Sequence, residues 1–376
     1  MIYLDYAATT PVDKRVLQKI LPFYADQFGN PSSIYQFAQK SRIAIDTARH
    51  EIAQILGCLD EEVYFTSSGT EANNWALFGI AAGAKQKKIH LITTTIEHES
   101  VLQSAKELER RGAAVSYLPV DHYGHINPKD LEKALTPETV LVSIMCANNE
   151  IGTIEDIKKI SATLKKRKIL FHTDACQAAG ALPLNVQNLG VDMMTINGGK
   201  IYGPKGVGAL YIKKGTPIVP LLYGGGQEHR LRAGTENVAG IIGLAEALKI
   251  AEAIRIKEVK RLTALRDHFI QDLQKKIPGL ILNGDPTNRL PNNINISLPG
   301  IDGESLLMRL DMAGICVSSG SACTSASLEP SHVLLGIGLS KTLAKNSLRI
   351  TLGRTTSKKD LDFTAKALAN ILKNFS

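Results

Sequence analysis

The stretch ILFHTDACQAAGALPLNVQNLGVDMMTINGGK, residues 169–200, decides the fold. It holds two short apolar runs, Ile169–His172 and Asp192–Ile196, each of strand length. Polar groups follow each run: Asp174 and Gln177 after the first, Asn197 and Lys200 after the second. Outward from it, the same alternation runs from about residue 63 to residue 212. The further strand candidates are Val63–Thr66, Ile89–Thr95, Ala114–Leu118, Val140–Cys146 and Val207–Ile212. Helical stretches separate most of them. The pattern predicts an α/β fold with a seven-stranded, mainly parallel sheet. A long helical pattern covers about Glu236 to Lys275, with Val259, Leu262, Leu265, Phe269 and Leu273 recurring every three or four positions. Pro278 and Gly279 end it. The runs NNINISL, GICVSS and SLRITL then indicate a smaller α+β domain, to which the first residues of the chain return.

The totals exclude several function classes. The chain has 376 residues, with 44% hydrophobic and 21% charged, as in a globular protein. It has no apolar run long enough for a membrane span. The start, MIYLDYAATT, lacks the basic and apolar regions of a signal peptide, so the expected location is the cytoplasm. Net charge is +8, but the basic residues are spread over helix ends, and aromatics are 5%. That combination argues against nucleic-acid binding. The cysteines are Cys58, Cys146, Cys176, Cys316 and Cys323, with no close CxxC pair, so neither a disulfide framework nor a metal site is expected. Cys146 and Cys176 adjoin strands and read as small buried hydrophobes. Cys323 differs, because it sits within SSGSACTSAS, residues 318–327, a loop of small and hydroxylic residues.

In open α/β sheets ligands lie beyond the carboxyl ends of the strands. There the chain carries SSGTEANN (67–74), then His98, Asn148, Asp174 with Gln177, and Lys200 framed by Gly198, Gly199 and Gly203. Taken singly these read as ordinary features: a helix N-cap, a surface histidine, a turn asparagine. Lys205 reads as a solvated turn lysine. Together they describe a phosphate seat, a carboxylate in apolar surroundings and a lysine at a neighbouring strand tip. A bound pyridoxal 5'-phosphate fits that set, with the lysine as Schiff base and the carboxylate on the pyridinium nitrogen.

The motifs YLDYAATTP, GNPSS, TSSGTEANN, EHESVL, NNEIGTI, HTDACQAAG, YGPKGVGALY, GGGQEHRLRAGTEN, SSGSACTSASLEPSHVL and SLRITLGR occur in that order. In them the chain resembles cysteine desulfurases of the NifS/IscS type, class V aminotransferases of PLP fold-type I. The resemblance implies a large PLP-binding domain over 16–255, and a small domain over 1–15 and 256–376 carrying a mobile cysteine loop. It implies that Lys200 bonds the cofactor, Asp174 pairs with the ring nitrogen and Gln177 with the ring hydroxyl. His98 would stack on the ring and move protons. Gly69, Thr70 and Asn197 would hold the phosphate, with Thr235 reaching it from the partner subunit of a homodimer. Asn148, also at the cofactor, and Arg349 would clasp the carboxylate of the substrate, L-cysteine. Cys323 would take the sulfur as a persulfide and carry it to acceptor proteins such as an iron–sulfur scaffold, for cluster assembly or tRNA thiolation.

The chain departs from the family pattern at Gly199, where histidine is usual, and at Asn197, where serine is usual. Both usual residues help hold the phosphate, so the expectation is altered cofactor binding. Tyr35 stands where histidine is common, and Arg230 where glycine is common. Two other readings compete: a selenocysteine lyase or related PLP lyase, and a sulfur-transfer scaffold without chemistry.

Overall fold

The computed structural model describes residues 1–86, 88–319 and 329–373. Its strands, in chain order, are β1 (Ile2–Tyr3), β2 (Val63–Thr66), β3 (His90–Thr94), β4 (Ala114–Leu118), β5 (Thr139–Ser143) and β6 (Leu170–Asp174). They continue with β7 (Met193–Asn197), β8 (Gly208–Ile212), β9 (Ile281–Leu282), β10 (Asn293–Ser297), β11 (Ile315–Cys316) and β12 (Ser347–Thr351).

One seven-stranded sheet has the order β2-β8-β7-β6-β5-β3-β4. The pairs from β4 across to β7 are parallel, and β8 is antiparallel to both β7 and β2. The connection from β7 to β8 is too short for a crossover, which needs a dozen or more residues, so the strand must turn back. β2, β3, β5 and β8 are buried along their length, as expected for a sheet covered on both faces. Period-two alternation divides their side chains. Phe65, Ile92, Val142, Phe171 and Met194 face one core with the helix Gln36–Leu56. Tyr64, Leu91, Leu141, Met193 and Leu210 face another with Trp75 and Val101, from the helices Gly69–Gly83 and Glu99–Arg110. Each such buried side chain contributes about 1.5–3 kcal/mol. The Trp75 indole, 1% exposed, donates to the Val219 carbonyl at 2.9 Å, so its polar edge is satisfied.

The strand boundaries differ from the sequence expectation by up to three residues. Two differences matter: Asp174 and Asn197 are the last residues of β6 and β7 rather than residues beyond them. Their backbones are therefore tied into the sheet.

The helix Val238–Lys276 is 39 residues long. Its residues up to Ile250 are buried mainly against the helices Gln36–Leu56 and Lys14–Ile20, whereas Leu262, Phe269, Ile270 and Leu273 pack in a separate core. That core rests on the antiparallel sheet β12-β10-β9 and includes Leu4. β1 pairs in parallel with β11, so the chain's first residues return to the later part, as the sequence suggested. Among the described residues no helix is long and apolar enough to cross a membrane.

Candidate active site

The carboxyl ends of the central strands open into a cavity of about 350 Å³. Gly69, Thr70, His98, Asp174, Gln177, Asn197, Lys200 and Arg349 all line it. They come from four separate strand ends and from β12 of the second sheet.

Asp174 is 7% exposed, and a carboxylate so placed needs donors. Asn73 Nδ2 donates to it at 2.6 Å and the Cys176 backbone N–H at 2.9 Å. Asn73 Nδ2 also donates to Ser100 Oγ at 2.8 Å, and the Asn73 Oδ1 has no partner among the described residues. Beneath Asp174 on the same strand, His172 lies between Ser143 Oγ at 2.8 Å and Thr195 Oγ1 at 3.0 Å. Burial pushes the His172 pKa down to about 4, so the ring is neutral and adds no positive charge beside Asp174. A cationic N–H from a ligand would complete this environment. The Cys176 thiol also lines the cavity, and burial, reinforced by Asp174, pushes its pKa well up.

The helix Gly69–Gly83 aims its first turn at the same space. Ser68 caps it, accepting from the Glu71 N–H at 3.1 Å, and Gly69 and Thr70 follow at the rim. A helix start attracts anions. Glu71 would oppose this, but Arg232 pairs with it at 2.8 and 3.1 Å. A Cβ at Gly69 would come within 2.7 Å of Cys176 Sγ, so only glycine lets the turn sit this close. Asn197 Oδ1 accepts from the Gly199 N–H at 3.1 Å. A Cβ at Gly199 would meet nothing nearer than 3.6 Å, so the position has room to spare. A phosphate at Gly69 and a pyridinium at Asp174 thus fit the residues present.

Lys200 closes the short turn after β7, and its Nζ donates to the carbonyls of Ala7 at 2.9 Å and Ala8 at 2.6 Å. Gln177 Nε2 donates to the same Ala7 carbonyl at 3.0 Å. His98 caps the helix Glu99–Arg110, with Nδ1 accepting from the Ser100 N–H at 3.1 Å. That bond leaves the ring proton of a neutral imidazole on Nε2. Arg349, 2% exposed, donates from Nη2 to Asp5 at 2.9 Å and from Nη1 to the Asn149 carbonyl at 3.3 Å. Its Nε has no partner among the described residues.

One expected residue is corrected. Asn148 does not line the cavity. Its oxygen accepts from the N–H groups of Glu150 and Ile151, and its amide donates to the Ile96 carbonyl. The side chain is consumed in shaping the turn, and the next residue, Asn149, faces the cavity instead. Thr235 is exposed and borders a different cavity, beside Arg232 and Glu236. Cys323 lies outside the described residues. Ser318, before it, exchanges backbone hydrogen bonds with Arg349 at 3.1 and 2.7 Å. The sequence reading missed Asn73, Ser100 and Cys176 as cavity residues. Asn73 was findable: it lies three and four positions after Thr70 and Gly69, hence on the same helix face.

The Aminotransferase class-V family model matches residues 2–363. A cysteine desulfurase IscS of Dictyoglomus turgidum is 52% identical over 99% of this chain and 94% of that protein. One from Clostridium botulinum is 49% identical over the same shares. Among solved structures, a NifS-like protein superposes with a TM-score of 0.94 at 37% identity over 99% of both chains. SspA in complex with cysteine gives 0.84 at 36% identity, over 94% of this chain and 99% of that one.

Proposed function

Because the chain belongs to the class-V aminotransferase family, we propose that it is a pyridoxal phosphate-dependent cysteine desulfurase, converting L-cysteine to L-alanine. The observation that carries this reading is the convergence of Asp174, Lys200 and Arg349 on one cavity. It brings together a ring-nitrogen partner, an amine and a carboxylate receptor.

Gly69, Thr70 and Asn197 would hold the phosphate, with Asp174 and Gln177 on the ring and His98 over it. When bound, the cofactor supplies an electron sink for the substrate's α-carbon. Arg349 holds the substrate carboxylate, with Asn149 at its side. Lys200 Nζ is the base placed to take the substrate's α-proton. The Cys323 thiolate then bonds to the substrate sulfur as the Cβ–Sγ bond breaks. The electron pair stays on the carbon side, which takes up protons and leaves as alanine, while Cys323 keeps the sulfur as a persulfide. The thiolate is the competent nucleophile, so activity falls as pH falls below the thiol's pKa.

We read the active form as a homodimer in the cytoplasm, with Thr235 of each subunit serving the other's phosphate. Its distance from its own chain's cavity supports this, as do the exposed Phe28, Ile34 and Tyr223, at 71%, 95% and 81%. The persulfide would pass to acceptor proteins of iron–sulfur assembly or tRNA thiolation. We also read the chain as two domains, 16–255 and 1–15 with 256–376. The passage of one helix from the first core to the second supports that division.

The test is to incubate the purified protein with L-cysteine and a reductant, assaying alanine and sulfide together. Equal yields are expected. Cys323→Ser should retain the cofactor's absorption and release no sulfide. Alanine without sulfide from the unaltered protein would refute the reading.

A further inference from the structure

The substrate poses a spacing problem. Its carboxylate and its amino group sit on one carbon, so the residues that meet them must be held at a fixed separation. Yet Arg349 belongs to β12 in the antiparallel sheet, and Lys200 follows β7 in the parallel sheet. These strands belong to different cores. Residues 5–8 touch both. Asp5 accepts from Arg349 Nη2 at 2.9 Å, and two residues on, the carbonyls of Ala7 and Ala8 accept from Lys200 Nζ.

The segment is itself fixed. The Tyr3 hydroxyl is 3.0 Å from both the Asp5 and the Thr9 carbonyls. The Ala7 N–H donates to Thr351 Oγ1 at 2.9 Å, and the Thr351 N–H to the Leu4 carbonyl at 2.7 Å. Asp5 is not among the residues lining the cavity, whereas Arg349 is. The aspartate therefore holds the guanidinium from behind. Two of the five guanidinium N–H groups are engaged by Asp5 and Asn149, and Nε has no partner among the described residues.

We propose that Asp5 is a positioning residue that orients Arg349 for the carboxylate of an α-amino acid, and that residues 5–8 set the spacing between that arginine and Lys200. The inference rests on the substrate class proposed above. It concerns binding, so it can be tested without sulfur chemistry. Removing the carboxylate's charge at position 5 frees the guanidinium to turn, which weakens ligands that carry a carboxylate and spares those that do not.

The test uses the cofactor-loaded protein and two ligands, L-alanine and ethylamine, which differ only by the carboxylate. Binding is followed by the change in cofactor absorption. Asp5→Asn should weaken L-alanine by about tenfold or more and leave ethylamine within about twofold. In an Arg349→Lys background the same substitution should no longer change that ratio. Equal weakening of both ligands, or of neither, overturns the proposal. Should Asp5→Asn fail to retain cofactor, Asp5→Glu, which keeps the charge but moves it by one methylene, is judged by the same ratio. An unaltered protein that binds L-alanine yet yields no sulfide from L-cysteine would defeat the desulfurase reading alone.

Discussion

Arg230 adopts φ +67°, in the left-handed region, and Glu228 and His229 before it adopt +42° and +55°. Side chains with a Cβ disfavour that region by about 1–2 kcal/mol each. The buried pair of Glu228 with Arg49, at 2.6 Å, and the Phe65 N–H donating to Glu228 at 2.8 Å hold the turn in place. Arg230 is exposed and contributes no such anchor. Arg230→Gly should therefore raise stability by about 0.5–1 kcal/mol, once glycine's extra chain entropy is deducted, read as a higher urea midpoint. Gly199 is the opposite case, a glycine with space around it. Gly199→His should fold normally and slow the loss of cofactor on dialysis; an unchanged rate would show that the missing imidazole is immaterial. Legibility in the sequence divides at this scale. Asp174 and Lys200 were readable because one ends an apolar strand and the other closes the turn just past the next. Asn148 and Asn149 were not separable, because both are asparagines in one turn and only its hydrogen bonds decide which side chain shapes it. Asp5 was invisible as a site residue, since its partner lies 344 positions away.

The turn between β3 and the helix Glu99–Arg110 carries an acid that no function so far explains. Glu97 is fully buried, accepting from Thr94 Oγ1 at 3.0 Å and the Met145 N–H at 2.9 Å, while Oε2 has no partner among the described residues. Burial, with Asp174 and Glu155 adding repulsion, pushes its pKa from 4.5 up to about 8. The sign follows from linkage. Between those values the folded chain keeps a proton that the unfolded chain releases, so stability is greatest below about pH 4.5 and is lost as pH rises toward 8, by up to about 1.4 kcal/mol per pH unit. Glu97→Gln, which keeps the shape without the titration, should flatten the fall in melting temperature between pH 5 and 8. A parallel fall in both proteins would show that Glu97 does not titrate there. At the scale of elements the sequence was informative for the strands buried on both faces, whose apolar runs are continuous. It was silent on the direction of β8, which the length of the preceding connection sets rather than any residue in the strand.

The two cores are stitched together at the turn 148–153. Asn293 and Asn295 of β10 both donate to the Glu150 carbonyl at 3.1 Å, and Arg289 donates to the Ile151 carbonyl at 2.8 Å. Arg289 is 3% exposed and meets carbonyls rather than a carboxylate. Arg289→Met should cost about 2–3 kcal/mol by leaving those carbonyls unsatisfied, measured by chemical denaturation. None of this was legible beforehand, because RLPNN reads as a polar loop and its partners belong to the other core. The N-terminal strap has a further consequence, for synthesis. Residues 4–8 emerge from the ribosome 344 positions ahead of the β12 residues that receive them. At ordinary elongation rates they wait roughly 20–70 s. Until then the strap lacks its seat on β12, and a stalled nascent chain, however well its parallel sheet has folded, holds only half of a binding site.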